Sequence, residues 1–201
     1  MTEARERTPV AVVIDDEEAI RDSCEKVLWR EGFQVFSAHN GELGLELVRE
    51  HDPDLILVDL KMPGMPGMVV LEELNQISPY SVKVVITAYA TLAAAMEALR
   101  HGAFDFLAKP FTPEELRAIA ARSLKHRELL MCNMRLTQQR EEIEARVRKE
   151  LCGQMAGRLE EIVARAKELM HLTPRGSEQR EVAEQLLSDL NELASQAKSW
   201  S

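Results

Sequence analysis

The chain has 201 residues, is 45% hydrophobic and only 4% aromatic, and carries a formal net charge of -9, which allows one core domain plus something extra. No apolar run approaches the roughly 20 residues that span a bilayer, and "MTEARERTP" at the start has no apolar signal core, so a cytoplasmic protein is expected, with Cys24, Cys132 and Cys152 as reduced thiols. Residues 1–111 hold 19 Asp and Glu against 10 Lys and Arg while the remainder is balanced; neither half offers the basic stripe that phosphate contacts demand, so DNA binding is not expected.

Residues 1–8 read as a flexible tail. "VAVVI" (10–14) is a short β-branched run that ends on Asp15 and Asp16, and helical spacing follows over 18–30, closed by Gly32. "FQVFSA" (33–38) leads through the turn signal Asn40-Gly41 to a helix over 42–51. "LILV" (55–58) runs into Asp59, then Met62-Pro63-Gly64 marks a turn before a helix over 69–77. "VKVVIT" (82–87) ends on Thr87, a helix covers 92–100, and Gly102 precedes "FDFLA" (104–108), which runs into Lys109. Near-continuous apolar strands alternating with helices predict an α/β domain: a doubly wound, five-stranded parallel sheet covered on both faces. The two glycines stand where left-handed helix caps are wanted.

From Thr112 the character changes. "TPEEL" predicts a capping box, with Thr112 as N-cap, Pro113 at the first helical position and Glu115 reaching back. Apolar residues then recur at three or four through Leu116, Leu124, Leu136, Val147, Leu159 and Leu169, and a helix over 113–171 would be about 90 Å long. The polar stretch 131–145 leaves room for a break. "LTPRGS" (172–177) predicts a stop with Ser177 as the next N-cap, and the last helix shows Val182, Leu186, Leu190, Leu193, Ala197 and Trp200 on one face. Its length suits an antiparallel partner for about 150–171. One hairpin buries its stripe poorly, so two copies joining in a four-helix bundle, a homodimer, are expected.

In open parallel sheets ligands bind outside the carboxyl ends of the strands, which is where Asp15, Asp16, Asp59, Thr87 and Lys109 all fall. A single strand-end acid is more often a turn residue in a solvated salt-bridge rim. Three carboxylates at one rim repel one another and call for a cation, and an all-oxygen set suits Mg2+. A lysine and a hydroxyl beside them are placed to hold an incoming phosphoryl group, so the combination reads as phosphoryl transfer onto Asp59.

"VVIDDEE", "LILVDLKMPGMPG", "VVITAYAT" and "GAFDFLAKPF" together make residues 9–125 resemble the receiver domain of bacterial two-component response regulators, with wording nearest the nitrogen-regulation class. The resemblance implies a flavodoxin-like receiver with strand order 2-1-3-4-5. It implies that a sensor histidine kinase phosphorylates Asp59. Asp16 and Asp59 would ligate Mg2+ directly, joined by the backbone carbonyl of Lys61, with Asp15 acting mostly through water. Thr87 and Phe106 would be the switch pair, and Lys109, before Pro110 in a cis bond, would complete the site. Lys61 and Tyr89 occupy the positions that tune dephosphorylation, and a bulky Tyr89 implies a phosphorylated state lasting minutes rather than seconds. Nitrogen-regulation activators continue into an ATPase domain and a helix-turn-helix, which residues 126–201 do not resemble. A haloacid-dehalogenase-type phosphatase would also use a strand-end Asp with Mg2+, but wants a second Asp two residues on, where Lys61 stands.

Three readings of 126–201 stay open. The first is a coiled-coil dimerisation module that docks a downstream protein partner. The second is a histidine phosphotransfer or kinase-like dimerisation hairpin using His126 or His171. The third is a phosphatase-like helix presenting Glu181 and Gln185. The resemblance implies that the receiver is a phosphoacceptor signalling protein rather than a classical enzyme.

Overall fold

The computed structural model describes residues 7–88, 91–171 and 178–199 (backbone only at 169–171, 178–179 and 197–199). Tyr89, the stop at 172–177 with Ser177, the side chain of His171, and Trp200 therefore lie outside the described residues. The chain divides into two compact units, Met1–Asn133 and Met134–Ser201. His126 and Arg127, which the composition groups with the helical half, belong to the first.

The first unit alternates β1 (Val10–Ile14), α1 (Glu18–Arg30), β2 (Gln34–Ala38), α2 (Gly41–His51), β3 (Leu55–Asp59), α3 (Gly67–Ile77), β4 (Val82–Thr87), α4 (Leu92–Arg100) and β5 (Asp105–Ala108), then enters α5 (Pro113–His171). All strand pairs are parallel and the order is β2-β1-β3-β4-β5. Successive side chains of a strand point to opposite faces, so β1 divides its residues between two cores. Ala11 and Val13 pack with Cys24, Leu28, Leu116 and Ile119. Val12 and Ile14 pack with Leu45, Val48, Val70 and Leu71. Each such aliphatic side chain contributes about 1.5–3 kcal/mol on burial, which is why the strands are apolar throughout rather than alternating. Burial also pushes the Cys24 thiol up to about 12, so this cysteine acts as a small hydrophobe.

Local chemistry sets the helix ends. Gly32 and Gly102 adopt φ of 86° and 89°, the left-handed conformation that carries little penalty only without a Cβ. Asn40 Oδ1 accepts from Leu43 N at 2.9 Å to open α2. At the start of α5 the capping box is reciprocal: Thr112 N donates to Glu115 Oε2 at 2.7 Å, and Glu115 N donates to Thr112 Oγ1 at 3.2 Å. Those bonds hold the Glu115 carboxyl below its ordinary range.

In the second unit α5 runs to His171 with no break at 131–145, and α6 (Glu178–Ser199) follows. The helices face one another across a hollow of about 430 Å³ lined by Val163, Ala164 and Lys167 from α5 and Asn191, Ala194 and Ser195 from α6. Seam positions in α5 are Cys152, Ala156, Leu159, Val163 and Ala166, and in α6 they are Ala183, Leu187, Leu190 and Ala194, all buried or half-buried. The spacing alternates three and four, as in a coiled-coil seam. The expected stripe differs: Val182, Leu186 and Leu193 are exposed, as are Leu151, Met155 and Ile162. Ala156, Ala183 and Ala194 let the two backbones approach, Leu159, Val163, Leu187 and Leu190 pack beside them, and the exposed aliphatics are left off the seam.

Candidate functional site

Parallel strands with their helices on the faces leave one rim of loops, and β1, β3, β4 and β5 deliver Asp15, Asp59, Thr87 and Lys109 to it. Asp15 is 1% exposed and Asp59 3%, so two carboxylates sit beneath the surface. The Lys109 side chain, 6% exposed, joins them: its Nζ lies 2.7 Å from Asp15 Oδ2, 2.7 Å from Asp59 Oδ2 and 2.9 Å from Glu17 Oε1. Lys109 N donates to Thr87 O at 2.9 Å, which ties the lysine's backbone to the end of β4. The Lys109–Pro110 peptide is cis.

The carboxylates are aimed by their own loops. Asp59 Oδ1 accepts from Lys61 N at 2.9 Å, and Asp15 Oδ1 accepts from Glu17 N at 3.0 Å. Asp15 Oδ2 has the Lys109 ammonium as its close partner, 2.7 Å away. Burial pushes the Asp15 carboxyl above its ordinary value, opposed by Lys109. Burial works against the Lys109 ammonium too, yet its bonds to Asp15, Asp59 and Glu17 outweigh that and raise its pKa. The result is a lysine held charged between acids, in surroundings where charge interactions are stronger than in water.

Asp15, Glu17 and Asp59 each offer an oxygen within 4.8 Å of the others, a set able to hold a cation. Glu17 was not singled out in the sequence, where it reads as one more acid before a helix. Asp16, expected as a direct ligand, is exposed and outside that set; Arg21 Nη1 donates to its backbone carbonyl at 2.9 Å. Lys61 is exposed and approaches Asp59 through its backbone N–H. Thr87 is fully buried, and Phe106 is half-buried against the core beneath the rim. Away from the rim, the His126 ring stacks on Phe104 with centroids 4.4 Å apart. Glu181 and Gln185 are exposed, the latter donating to Asp189 Oδ1 at 3.1 Å.

Gly67 explains how the β3–α3 loop closes on the site. A Cβ there would stand 1.9 Å from the Asp59 carbonyl oxygen and 2.6 Å from Leu60 Cα, and backbone cannot yield without moving Asp59. Gly67→Ala is expected to cost about 2–3 kcal/mol in urea unfolding and to slow chemistry at Asp59; an unchanged midpoint contradicts this.

Comparison with known proteins gives a consistent result. The family profile described as "Response regulator receiver domain" matches residues 11–121. The DNA-binding transcriptional regulator NtrC of Escherichia coli strain K12 is 37% identical over 114 residues, covering 57% of this chain and 24% of the relative. Sporulation initiation phosphotransferase F of Bacillus subtilis strain 168 is 37% identical over 106 residues, covering 53% of this chain and 86% of the relative. A CheY-like receiver domain from Methanospirillum hungatei JF-1 superposes with a TM-score of 0.58 at 30% identity, covering 61% of this chain and 98% of that one. The chain thus spans about a quarter of the length of the transcriptional regulator and most of the single-domain proteins.

Proposed function

The chain belongs to the response regulator receiver domain family, and from that premise we infer that it takes a phosphoryl group from a sensor histidine kinase onto Asp59 and reports it through its C-terminal helices. The observation that carries this reading is the convergence of Lys109 Nζ on Asp59 Oδ2 and Asp15 Oδ2, 2.7 Å from each. An Asp59 oxygen attacks phosphorus, the bond from phosphorus to the donor imidazole nitrogen breaks, and the imidazole leaves with the electron pair. The Lys109 ammonium and the Thr87 hydroxyl receive the phosphoryl oxygens, and Phe106 moves with Thr87 as the switch.

Magnesium is the cofactor the family implies, and the residues fit it: hard carboxylate oxygens of Asp15, Glu17 and Asp59 lie within 4.8 Å of one another, with Asp15 and Asp59 buried. Asp15 and Asp59, with Asp16 or Glu17 and the Lys61 carbonyl, would hold the ion, which supplies neutralisation of the carboxylates and of the phosphoryl oxygens as they meet.

For the helical unit we favour dimerisation with a second copy and docking of a downstream protein. The seam of a single hairpin covers only part of the aliphatic surface, and Leu151, Met155, Ile162, Val182, Leu186 and Leu193 are left exposed. Leu129, Leu136 and Ile143 continue an exposed apolar row at seven-residue spacing along α5. Rows of this kind on paired helices suit a four-helix bundle of two copies. His126, half-buried against Phe104, is poorly presented to a phosphodonor. No described helix is long and apolar enough to cross a membrane, which agrees with a cytoplasmic reporter.

The test is to incubate the full chain with acetyl phosphate and Mg2+, map the adduct by mass spectrometry and size the protein by light scattering. A phosphoryl group on Asp59 is expected, absent from Asp59→Asn and abolished by chelation, on a particle of twice the chain mass. An adduct elsewhere, or none, overturns the acceptor assignment; a monomer overturns the dimer alone.

A further inference from the structure

β4 is an interior strand, between β3 and β5, yet its second residue is a lysine. Lys83 is 4% exposed, and its amino group is paired with no described residue. Unpaired charges in the interior are costly enough that lysine is almost never buried alone. Its burial, and after that the charge of Arg127, push the amino group down to about 8. Arg127 brings no relief, because its own acids are taken: Nε lies 2.8 Å from Asp54 Oδ1 and Nη2 3.4 Å from Asp52 Oδ2.

Lys83 opens on a cavity of about 350 Å³ at the amino ends of β4 and β5. Phe104, Ala103, Leu130 and Val82 give it apolar walls, and the His126 ring, stacked on Phe104, forms another. Two other polar lining side chains already have partners. Asn75 Nδ2 donates to the His101 carbonyl at 2.6 Å, and Ser81 Oγ donates to the Pro53 carbonyl. None of the described lining residues is acidic. Lys83 is therefore the one charged side chain in the described lining, and it has no counter-charge there.

We propose that this cavity binds a small organic anion, with a carboxylate or phosphate head at Lys83 and an apolar body against Phe104, Ala103 and Leu130. An anion there supplies the counter-charge the fold omits, through a charge-assisted hydrogen bond at a partly enclosed site. The volume lies within the range of small-ligand sites. Because β4 begins at this cavity and ends at Thr87, the site is at the opposite edge of the sheet from Asp59. Binding here does not depend on the phosphoacceptor reading.

The experiment uses the full chain without Mg2+, titrated separately with inorganic phosphate, benzoate and uncharged benzamide while the His126 ring signals are followed by NMR. Saturable shifts of His126 with benzoate or phosphate, and none with benzamide, are expected; the tighter of the two identifies the head group. Lys83→Met should weaken that binding about tenfold or more while leaving the rate of Asp59 phosphorylation by acetyl phosphate unchanged. Benzamide binding as tightly as benzoate overturns the proposal. So does anion binding that spares His126, or that survives in Lys83→Met. The wild-type comparison of benzoate with benzamide decides the matter even where the variant folds poorly.

Discussion

Lys109→Met is expected to slow phosphoryl transfer to Asp59 by a factor on the order of 10² to 10³, the usual cost of removing one preorganised charge-stabilising donor. The side chain keeps its unbranched shape and all but one heavy atom of its length while losing its charge and donors, so the core beside it is little disturbed. What it leaves behind is a buried Asp15 beside a buried Asp59 with no cation between them. Burial already holds the Asp15 carboxyl above its ordinary 3.8, and Lys109 is the principal group opposing that rise. Removing Lys109 moves the folded-state value further up. A carboxyl whose pKa is raised by folding binds its proton more tightly in the native state. Its contribution is therefore largest below the unfolded value and is lost as pH climbs through the folded one. The variant's unfolding midpoint should consequently fall more steeply than the parent's as pH rises from about 4 to about 7. Rates of acyl-phosphate formation and urea midpoints across that range check both halves. A transfer rate within threefold of the parent would show that the phosphoryl oxygens never meet Lys109.

Why these residues were legible in the sequence has a physical basis. A parallel sheet delivers strand ends to one rim, so "VVID", "LILVD", "VVIT" and "FLAK" each announce a polar group at a known place before any tertiary contact is known. The capping box at Thr112 and Glu115 and the glycines at 32 and 102 are equally local, since cap and partner lie within a few residues. What stayed hidden depends on contacts distant in sequence. Glu17 stands among the acids that open α1, and only its approach to Lys109, 92 positions on, sets it apart. Asp16 and Asp15 are adjacent in sequence, but the end of a strand sends one inward and the other out. In the hairpin, bulk misled: the largest aliphatics mark the most conspicuous stripe, while close packing of two helices selects Ala156 and Ala194. Lys83 carried a readable signal, a cation inside "VKVVIT", that strand periodicity alone treats as a tolerated exception.

Arg127→Met is expected to destabilise the sheet unit by about 3 kcal/mol, toward the lower end of what breaking one side of a buried ion pair costs. Arg127 is 5% exposed and clamps the entry to β3 from α5. Its Nη1 donates to Pro53 O at 2.7 Å and to Ser81 Oγ at 3.3 Å, while Nε pairs with Asp54 Oδ1 at 2.8 Å. Asp54 in turn accepts from Val10 N at 2.8 Å through its other oxygen, so one guanidinium joins the starts of β1 and β3 and the approach to β4. Methionine fills much of the volume but leaves Asp54 Oδ1 with only the exposed Arg7, 3.2 Å away, and the Pro53 carbonyl with Ser81 Oγ as its one remaining donor. Lysine retains charge without the planar fork and cannot serve these groups at once, so Arg127→Lys should lose a substantial part of the same free energy. The measurement is urea unfolding followed in the far ultraviolet, where the midpoint falls and the slope stays constant if only native stability has changed. A loss under about 1 kcal/mol would place the pair in the class of solvent-screened surface contacts, and the apolar packing of Leu116, Ile119, Ala120 and Leu124 would then be what chiefly holds α5 to the sheet.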